Sequence, residues 1–176
     1  MEAINFEQIL LKTAFCCMAS DGDIDKREVA VIENLCKASE LFNDFNFHEE
    51  INKLVGEINT NAKQFLQDYF DILSKSELSE NEEITLLSFA LKTIYADEQV
   101  EYSEVKFFKN IRHRLKVSDE KIIENFKGEY PEIEDFLEED IKTNNLIEII
   151  TKEFFELSNL PTFDKIILNK DGNNIV

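Results

Sequence analysis

Acidic residues recur in two short segments of the chain, and their type and spacing suit the binding of a hard cation. Residues 19–28 read ASDGDIDKRE and residues 95–104 read YADEQVEYSE. Carboxylate and carbonyl oxygens are the ligands that Ca²⁺, Mg²⁺ and Mn²⁺ prefer. The candidate metal ligands are six carboxylates at matching positions of the two segments: Asp21, Asp25, Glu28, Asp97, Glu101 and Glu104.

The first segment begins like a calcium-binding EF-hand loop but does not continue as one. With Asp21 at the first loop position, Lys26 stands at position six, where the loop needs glycine for a sharp turn. Ile32 stands at position twelve, where a bidentate glutamate is required. We therefore do not interpret the segment as an EF-hand.

The cysteines and histidines do not form a second reactive group. Cys16 and Cys17 are adjacent, so on a helix their side chains diverge by about 100° and cannot meet one soft metal ion. With Cys36 alone, we expect free thiols, at least one of them buried, and no disulfide. His48 and His113 lack a Glu-x-x-His spacing and are expected to be solvated or capping residues. Because nucleophile, nucleotide and zinc-hydrolase motifs are also absent from the sequence, we expect a non-enzyme with no catalytic residues.

The charge of the chain limits its partners. Nineteen basic residues against 37 acidic ones give a formal net charge of −18. Such a surface repels nucleic acid and anionic membranes, whereas it attracts cations and basic proteins. The sequence shows no basic targeting signal at its start and no apolar run of about 20 residues. We therefore expect a cytoplasmic protein without membrane insertion.

Apolar residues at three- and four-residue spacing predict helices along most of the chain. Only four glycines and two prolines are present, which disfavours an all-β fold. Shifting the chain by 76 residues aligns the two acidic segments and keeps the flanking apolar residues in phase. The sequence therefore predicts a compact all-α bundle of seven to nine helices, built from two similar helical hairpins at Ala14–Leu35 and Ala90–Ile111.

The rest of the chain is expected to extend this repeat. We place a helical repeat domain at residues 1–127. Residues 128–176 keep helical apolar spacing and are acidic, so we expect a helical C-terminal extension packed on the repeat. Its last part, from about residue 161, is expected to be an irregular tail.

The repeated unit resembles the TerB-like family, whose all-helical proteins are named for tellurite resistance. The two copies of the unit read Ala14-x6-Asp21-Gly22-x-Ile24-x3-Glu28-x3-Ile32 and Ala90-x6-Asp97-Glu98-x-Val100-x3-Glu104-x3-Phe108. The match covers roughly residues 8–127, and the second copy departs from it by having Glu98 in place of Gly22. The resemblance implies a compact helical bundle linked to stress responses, with an acidic cation-binding site, and it implies no reaction.

A structural interpretation of the same segments needs no ligand. Gly22 suits the left-handed residue that ends many helices. Asp25 and Glu28 have the spacing of a capping box at the start of the next helix. Ile24 and Val100 are expected to fill the core beneath the two turns.

Two main functions therefore remain open from the sequence, with a helical-bundle enzyme that uses paired carboxylates as a third alternative. The first is a TerB-like, stress-associated, non-enzymatic protein whose acidic turns bind a divalent cation. Asp21 and Asp97 favour this function, because a carboxylate is poorly placed at the C-terminal end of a helix dipole unless a cation accompanies it. The second is an acidic helical scaffold that binds a basic protein partner and whose acidic turns serve only as helix caps.

Overall fold

The computed structural model describes residues 5–20, 22–43, 45–138 and 163–166, and these contain helices and connections but no β-strand. A single 3-10 turn, Glu40–Phe42, joins the second and third helices. The α-helices are α1 Phe6–Ala19, α2 Lys26–Ala38, α3 Phe47–Thr60, α4 Ala62–Lys75, α5 Glu80–Ile94, α6 Tyr102–His113, α7 Asp119–Phe126 and α8 Ile133–Leu137. The predicted all-α bundle of seven to nine helices is confirmed.

Side-chain caps fix where six of the described α-helices begin, including α2, which Asp25 caps. In the other five, the oxygen of the residue before the helix accepts a hydrogen bond from the backbone N–H three positions later. Such a bond satisfies one of the four N–H groups that a helix leaves unpaired and is worth about 1 kcal/mol. The capping residues of these five helices are Asn5, Asn46, Asn61, Ser79 and Ser118.

Helix α1 is the centre of the bundle. It packs along α5 and also contacts α2, α3, α4 and α6. Leu10, Ala14, Phe15 and Met18 are fully buried, on more than one side of the helix. A helix surrounded by neighbours needs apolar residues all round, which explains why α1 shows a weaker amphipathic pattern than the outer helices.

The two predicted hairpins are α1–α2 and α5–α6. They are joined by α3 and α4, which pack against each other and against α1. Thr13 of α1 and Tyr69 of α4 share a buried hydrogen bond of 2.9 Å between their hydroxyl oxygens. The hairpins and their linking helices thus surround one core, as the phased repeat predicted.

Helices α7 and α8 pack on the second hairpin. A buried carboxylate fixes this attachment: Glu83 of α5 accepts the backbone N–H groups of Lys116 and Val117, at 2.9 and 2.6 Å, in the connection between α6 and α7. Ile133 and Phe136 of α8 are buried against the bundle. Residues 139–162 and 167–176 lie outside the described residues, so the extension beyond α8, most of the tail and the division at residue 127 stay predictions.

Within the part of the chain that the structure describes, none of the helices combines the length and the apolar character needed to cross a bilayer.

Candidate functional site

The turns between the helices of the two hairpins share a residue with positive φ and a backbone hydrogen bond at matching positions. Gly22 in the first turn has φ 90°, and Glu98 at the equivalent place in the second has φ 64°. The N–H of Gly22 donates to the carbonyl of Ala19 at 3.1 Å, and that of Glu98 donates to the carbonyl of Tyr95 at 3.3 Å. The internal repeat therefore preserves turn geometry even where glycine is replaced by glutamate.

Carboxylates from both turns cap the helices that follow. The N–H of Asp25 donates to Glu28 Oε2 at 3.0 Å, and Asp25 in turn accepts from the first turn of α2, which completes the predicted capping box. In the second hairpin the N–H of Glu101 donates to Glu104 Oε2 at 2.7 Å. Glu28 and Glu104 are only 5% and 3% exposed. Each of these two glutamates therefore satisfies a backbone donor at the start of a helix.

Arg27 connects the two turns. Its Nε and Nη2 atoms donate to the two carboxylate oxygens of Asp25, at 3.0 and 2.9 Å. Its Nη1 donates to the backbone carbonyl of Asp97 at 3.3 Å, and its Nη2 lies 3.9 Å from Asp97 Oδ2. The hydrogen bonds from the guanidinium lower the pKa of Asp25 below its usual value. The acidic turns thus lie side by side, with a cationic side chain of the protein between them.

The predicted misfit at Asp97 has an internal explanation. Asp97 Oδ1 accepts the N–H of Gln99 at 2.9 Å, as aspartate does in turns, while Arg27 approaches its other carboxylate oxygen. Asp21, the matching residue of the first turn, lies outside the described residues. Asp97 therefore already has a cationic neighbour, Arg27, so its place at the C-terminal end of a helix does not call for a metal ion.

The thiol of Cys17, on the central helix α1, is fully buried. Burial raises the pKa of this thiol well above its usual value, and the neighbouring Cys16 and the charges of Glu104 and Glu28 raise it further. Its surroundings keep the sulfur protonated and unreactive.

All three cysteines are buried and free, as predicted. Burial also raises the pKa of Cys36, to about 12, and that of Cys16 still further. His48 and His113 are exposed, as predicted for solvated residues.

The predicted metal ligands are only partly brought together. Asp25, Glu28, Asp97, Glu101 and Glu104 lie in the two adjacent turns. However, no group of three or more Asp, Glu, His or Cys side chains among the described residues is arranged to hold a metal ion. With Asp21 undescribed, the six-residue metal site stays a prediction.

The prediction that an apolar residue of each turn fills the core beneath it is partly right for Ile24 and wrong for Val100. Ile24 is partly buried and packs against the core, whereas Val100 is 39% exposed, and Tyr102, two residues later, is 62% exposed. The core of the second hairpin is filled instead by aromatic rings, with Phe136 of α8 placed edge-on to Phe108 at 5.4 Å between centroids. Val100 and Tyr102 are therefore exposed near acidic residues, and the Nζ atom of Lys106 lies 4.5 Å from the centroid of the Tyr102 ring.

A cleft of about 180 Å³ lies between α1, α3 and α4. Lys12 closes one side of it, with its Nζ 3.7 Å from Glu57 and 4.3 Å from the centroid of the Phe65 ring. The volume is below the roughly 300 Å³ at which small-molecule sites begin. We therefore assign no ligand to this cleft.

Comparison of the chain with protein-family models, with curated proteins and with solved structures finds no match. The resemblance to the TerB-like family consequently stays a prediction from the repeated unit.

Proposed function

We propose that this protein is a non-enzymatic, acidic helical scaffold that binds a basic protein partner, and that its acidic turns act as helix caps. The observation that supports this proposal is the position of Arg27. The carboxylates that a metal would use bind backbone N–H groups and a guanidinium group instead. A surface that already accommodates an arginine between its turns has the charge and the spacing to accept further basic side chains.

The partner site that we propose is the second-turn face, formed by residues 97–102. It combines the carboxylates of Asp97, Glu98 and Glu101 with the exposed side chains of Val100 and Tyr102. Tyrosine is enriched among the residues that dominate the energy of interfaces, and the surrounding charges speed the approach of a basic partner. The partner is therefore expected to present basic residues next to an apolar one.

The experiment measures the binding of a fluorescent peptide of alternating arginine and leucine to the full chain by anisotropy. Tyr102→Ala combined with Val100→Ser is expected to weaken binding at least tenfold. The matched control is Leu41→Ser, which removes another exposed apolar side chain, 45% exposed, from a different surface. Unchanged binding in the double variant would mean that the peptide binds the overall charge, and equal weakening by both changes would mean that it binds exposed apolar side chains without preference. Either result would exclude the second-turn face as the site.

A divalent-cation site at the first turn, in a TerB-like stress-associated protein, is our second candidate. One observation favours it: Gly22 has the left-handed conformation that lets a backbone carbonyl approach an ion. The ion would be Ca²⁺, Mg²⁺ or Mn²⁺, since the donors are oxygens.

Thermal melts of wild type and Asp21→Asn, with chelator and with each cation at matched ionic strength, test this candidate. A bound ion stabilises the folded state by RT ln(1 + [L]/Kd), about 2.7 kcal/mol at a hundredfold excess over Kd. The substitution is then expected to lower stability only in the presence of the ion. An equal cost in both conditions would assign Asp21 a structural role alone.

A further inference from the structure

Two asparagine side chains of α3 hold a short segment from near the C-terminal end of the chain. Asn59 Nδ2 donates to the carbonyl of Phe163 and Asn59 Oδ1 accepts the N–H of Phe163, both at 2.8 Å. Asn52 binds Ile166 in the same way, at 3.0 and 2.8 Å. Each amide therefore pairs with both main-chain polar groups of one residue, as a neighbouring β-strand would.

The spacing of the asparagines matches that of an extended peptide. Asn52 and Asn59 are two helical turns apart, which corresponds to a rise of about 10.5 Å. Three residues of extended chain, from Phe163 to Ile166, span about 10 Å. A segment running antiparallel to α3 therefore meets both amides in register.

The side chains of the segment divide into two kinds. Phe163 and Ile166 are 9% and 8% exposed and join the main core, whereas Asp164 and Lys165 between them are exposed. The four hydrogen bonds all involve main-chain atoms. The site thus requires large apolar residues at the first and fourth positions and leaves the two middle positions free.

We propose that this α3 groove, defined by Asn52 and Asn59, is a docking site for an extended segment of a partner protein. Residues 163–166 act as an internal ligand that such a segment displaces. Any segment with the same apolar spacing makes the same four main-chain bonds, since none of them reads a side chain. The groove uses no residue of the acidic turns, so this inference is independent of the proposed function.

Charge favours a partner segment with basic residues at its two middle positions. These positions face solvent, and the whole chain has a formal net charge of −18, which attracts a basic segment. Glu50 and Glu57 of α3 line the cleft towards α1 and α4, where Glu57 pairs with Lys12, so the overall charge and not these two residues favours the basic segment. The internal ligand has one acidic and one basic residue at the middle positions, Asp164 and Lys165, so a segment with two basic residues has the more favourable charge.

The test uses a fluorescent peptide containing Phe-Lys-Lys-Ile between flexible Gly-Ser ends, and the full-length chain. Phe163→Ser combined with Ile166→Ser empties the groove, and we expect this variant to bind the peptide at least tenfold more tightly than wild type, because a tethered competitor has been removed. Adding Asn52→Ala and Asn59→Ala to that variant is expected to abolish binding. A Ser-Lys-Lys-Ser peptide of equal charge is expected not to bind.

Equal binding of both peptides, or unchanged binding after loss of the two asparagines, would overturn the proposal. Hydrogen exchange on the wild-type chain provides a measurement that needs no variant to fold. The N–H groups of Phe163 and Ile166 are expected to be protected in the free chain and to exchange when excess peptide is added. Peptide binding without this release would place the peptide elsewhere. A wild-type dimer that is lost with Phe163→Ser and Ile166→Ser would instead assign the groove to a second copy of the chain.

Discussion

Replacement of Glu98 by glycine is expected to stabilise the protein, although Glu98 belongs to the acidic turn. Glu98 is exposed and has φ 64°, the left-handed conformation that Gly22 adopts in the first turn. This conformation costs a residue with a side chain about 1–2 kcal/mol. Glycine loses more conformational entropy on folding, about 0.5–1 kcal/mol, which offsets part of that gain. The free energy of unfolding should therefore rise by about 0.5–1 kcal/mol.

Urea unfolding followed by circular dichroism measures this change, and a thermal melt gives a second reading. For a chain of this size 1 kcal/mol corresponds to a shift of about 2–4 °C in Tm, so we expect a rise of roughly 1–4 °C. Glu98→Gln is the matched control, because it removes the same charge but keeps the β-carbon and hence the strained backbone.

The comparison of the two variants separates backbone strain from charge repulsion. We expect Glu98→Gln to give less than half of the gain of Glu98→Gly. Gly22→Ala is expected to lower stability by about 1 kcal/mol, since it introduces the same strain into the first turn. If Glu98→Gln stabilised as much as Glu98→Gly, or if Glu98→Gly stabilised nothing, the strain argument would be refuted.

Three further predictions concern the buried and capping groups. Glu83→Gln should lower the free energy of unfolding by about 2–3 kcal/mol in urea melts, because an amide replaces a charged acceptor of buried N–H groups; a similar loss in exposed Glu80→Gln would contradict this. The guanidinium of Arg27 lowers the pKa of Asp25, so the stability that this carboxylate contributes is complete above its unfolded pKa of about 3.9 and is lost as the pH falls through its lower folded value. Asp25→Asn should therefore lose less stability than wild type in melts below about pH 4, and equal acid sensitivity would argue against the pair. The three cysteines should resist a thiol reagent at neutral pH in the folded protein and all react after unfolding, whereas rapid labelling of the native chain would be inconsistent with their burial and raised pKa values.

Local periodicity and spacing were sufficient to predict the described helices, the two hairpins and the capping box of Asp25 and Glu28. An apolar stripe predicts a helix whatever its neighbours are, because a helix places residues three and four positions apart on one face. The pair of Asp25 and Glu28 likewise needs only its own three-residue spacing, and the structure contains the predicted box. The repeat at an offset of 76 residues predicted that the second hairpin resembles the first. The structure agrees, since both copies have the same backbone hydrogen bonds in their turns.

Contacts between distant residues were not predictable in this way. Arg27 binds Asp97 in the other hairpin, and the only signal for it in the sequence was a basic pair inside an acidic segment. Asn52 and Asn59 gave no signal at all, because their partners come more than 100 residues later. The prediction that Val100 is buried was wrong for a related reason. Whether a turn residue is buried depends on which side chains other elements place in the core, and here Phe136 of α8 packs against Phe108.

The two halves of the repeat have diverged in a way that bears on function. The first turn carries Lys26 and Arg27, whereas the second has no basic residue between 95 and 104, and Ser103 stands where Arg27 does. The bridge that Arg27 makes between the turns therefore runs in one direction only, because the short side chain of Ser103 provides no counterpart to the guanidinium of Arg27. A repeat kept only for symmetric packing or for two equal metal sites would favour matching charges in both turns. The second turn instead has acidic groups near the exposed Val100 and Tyr102, the combination on which our proposal of a basic partner with an apolar residue rests.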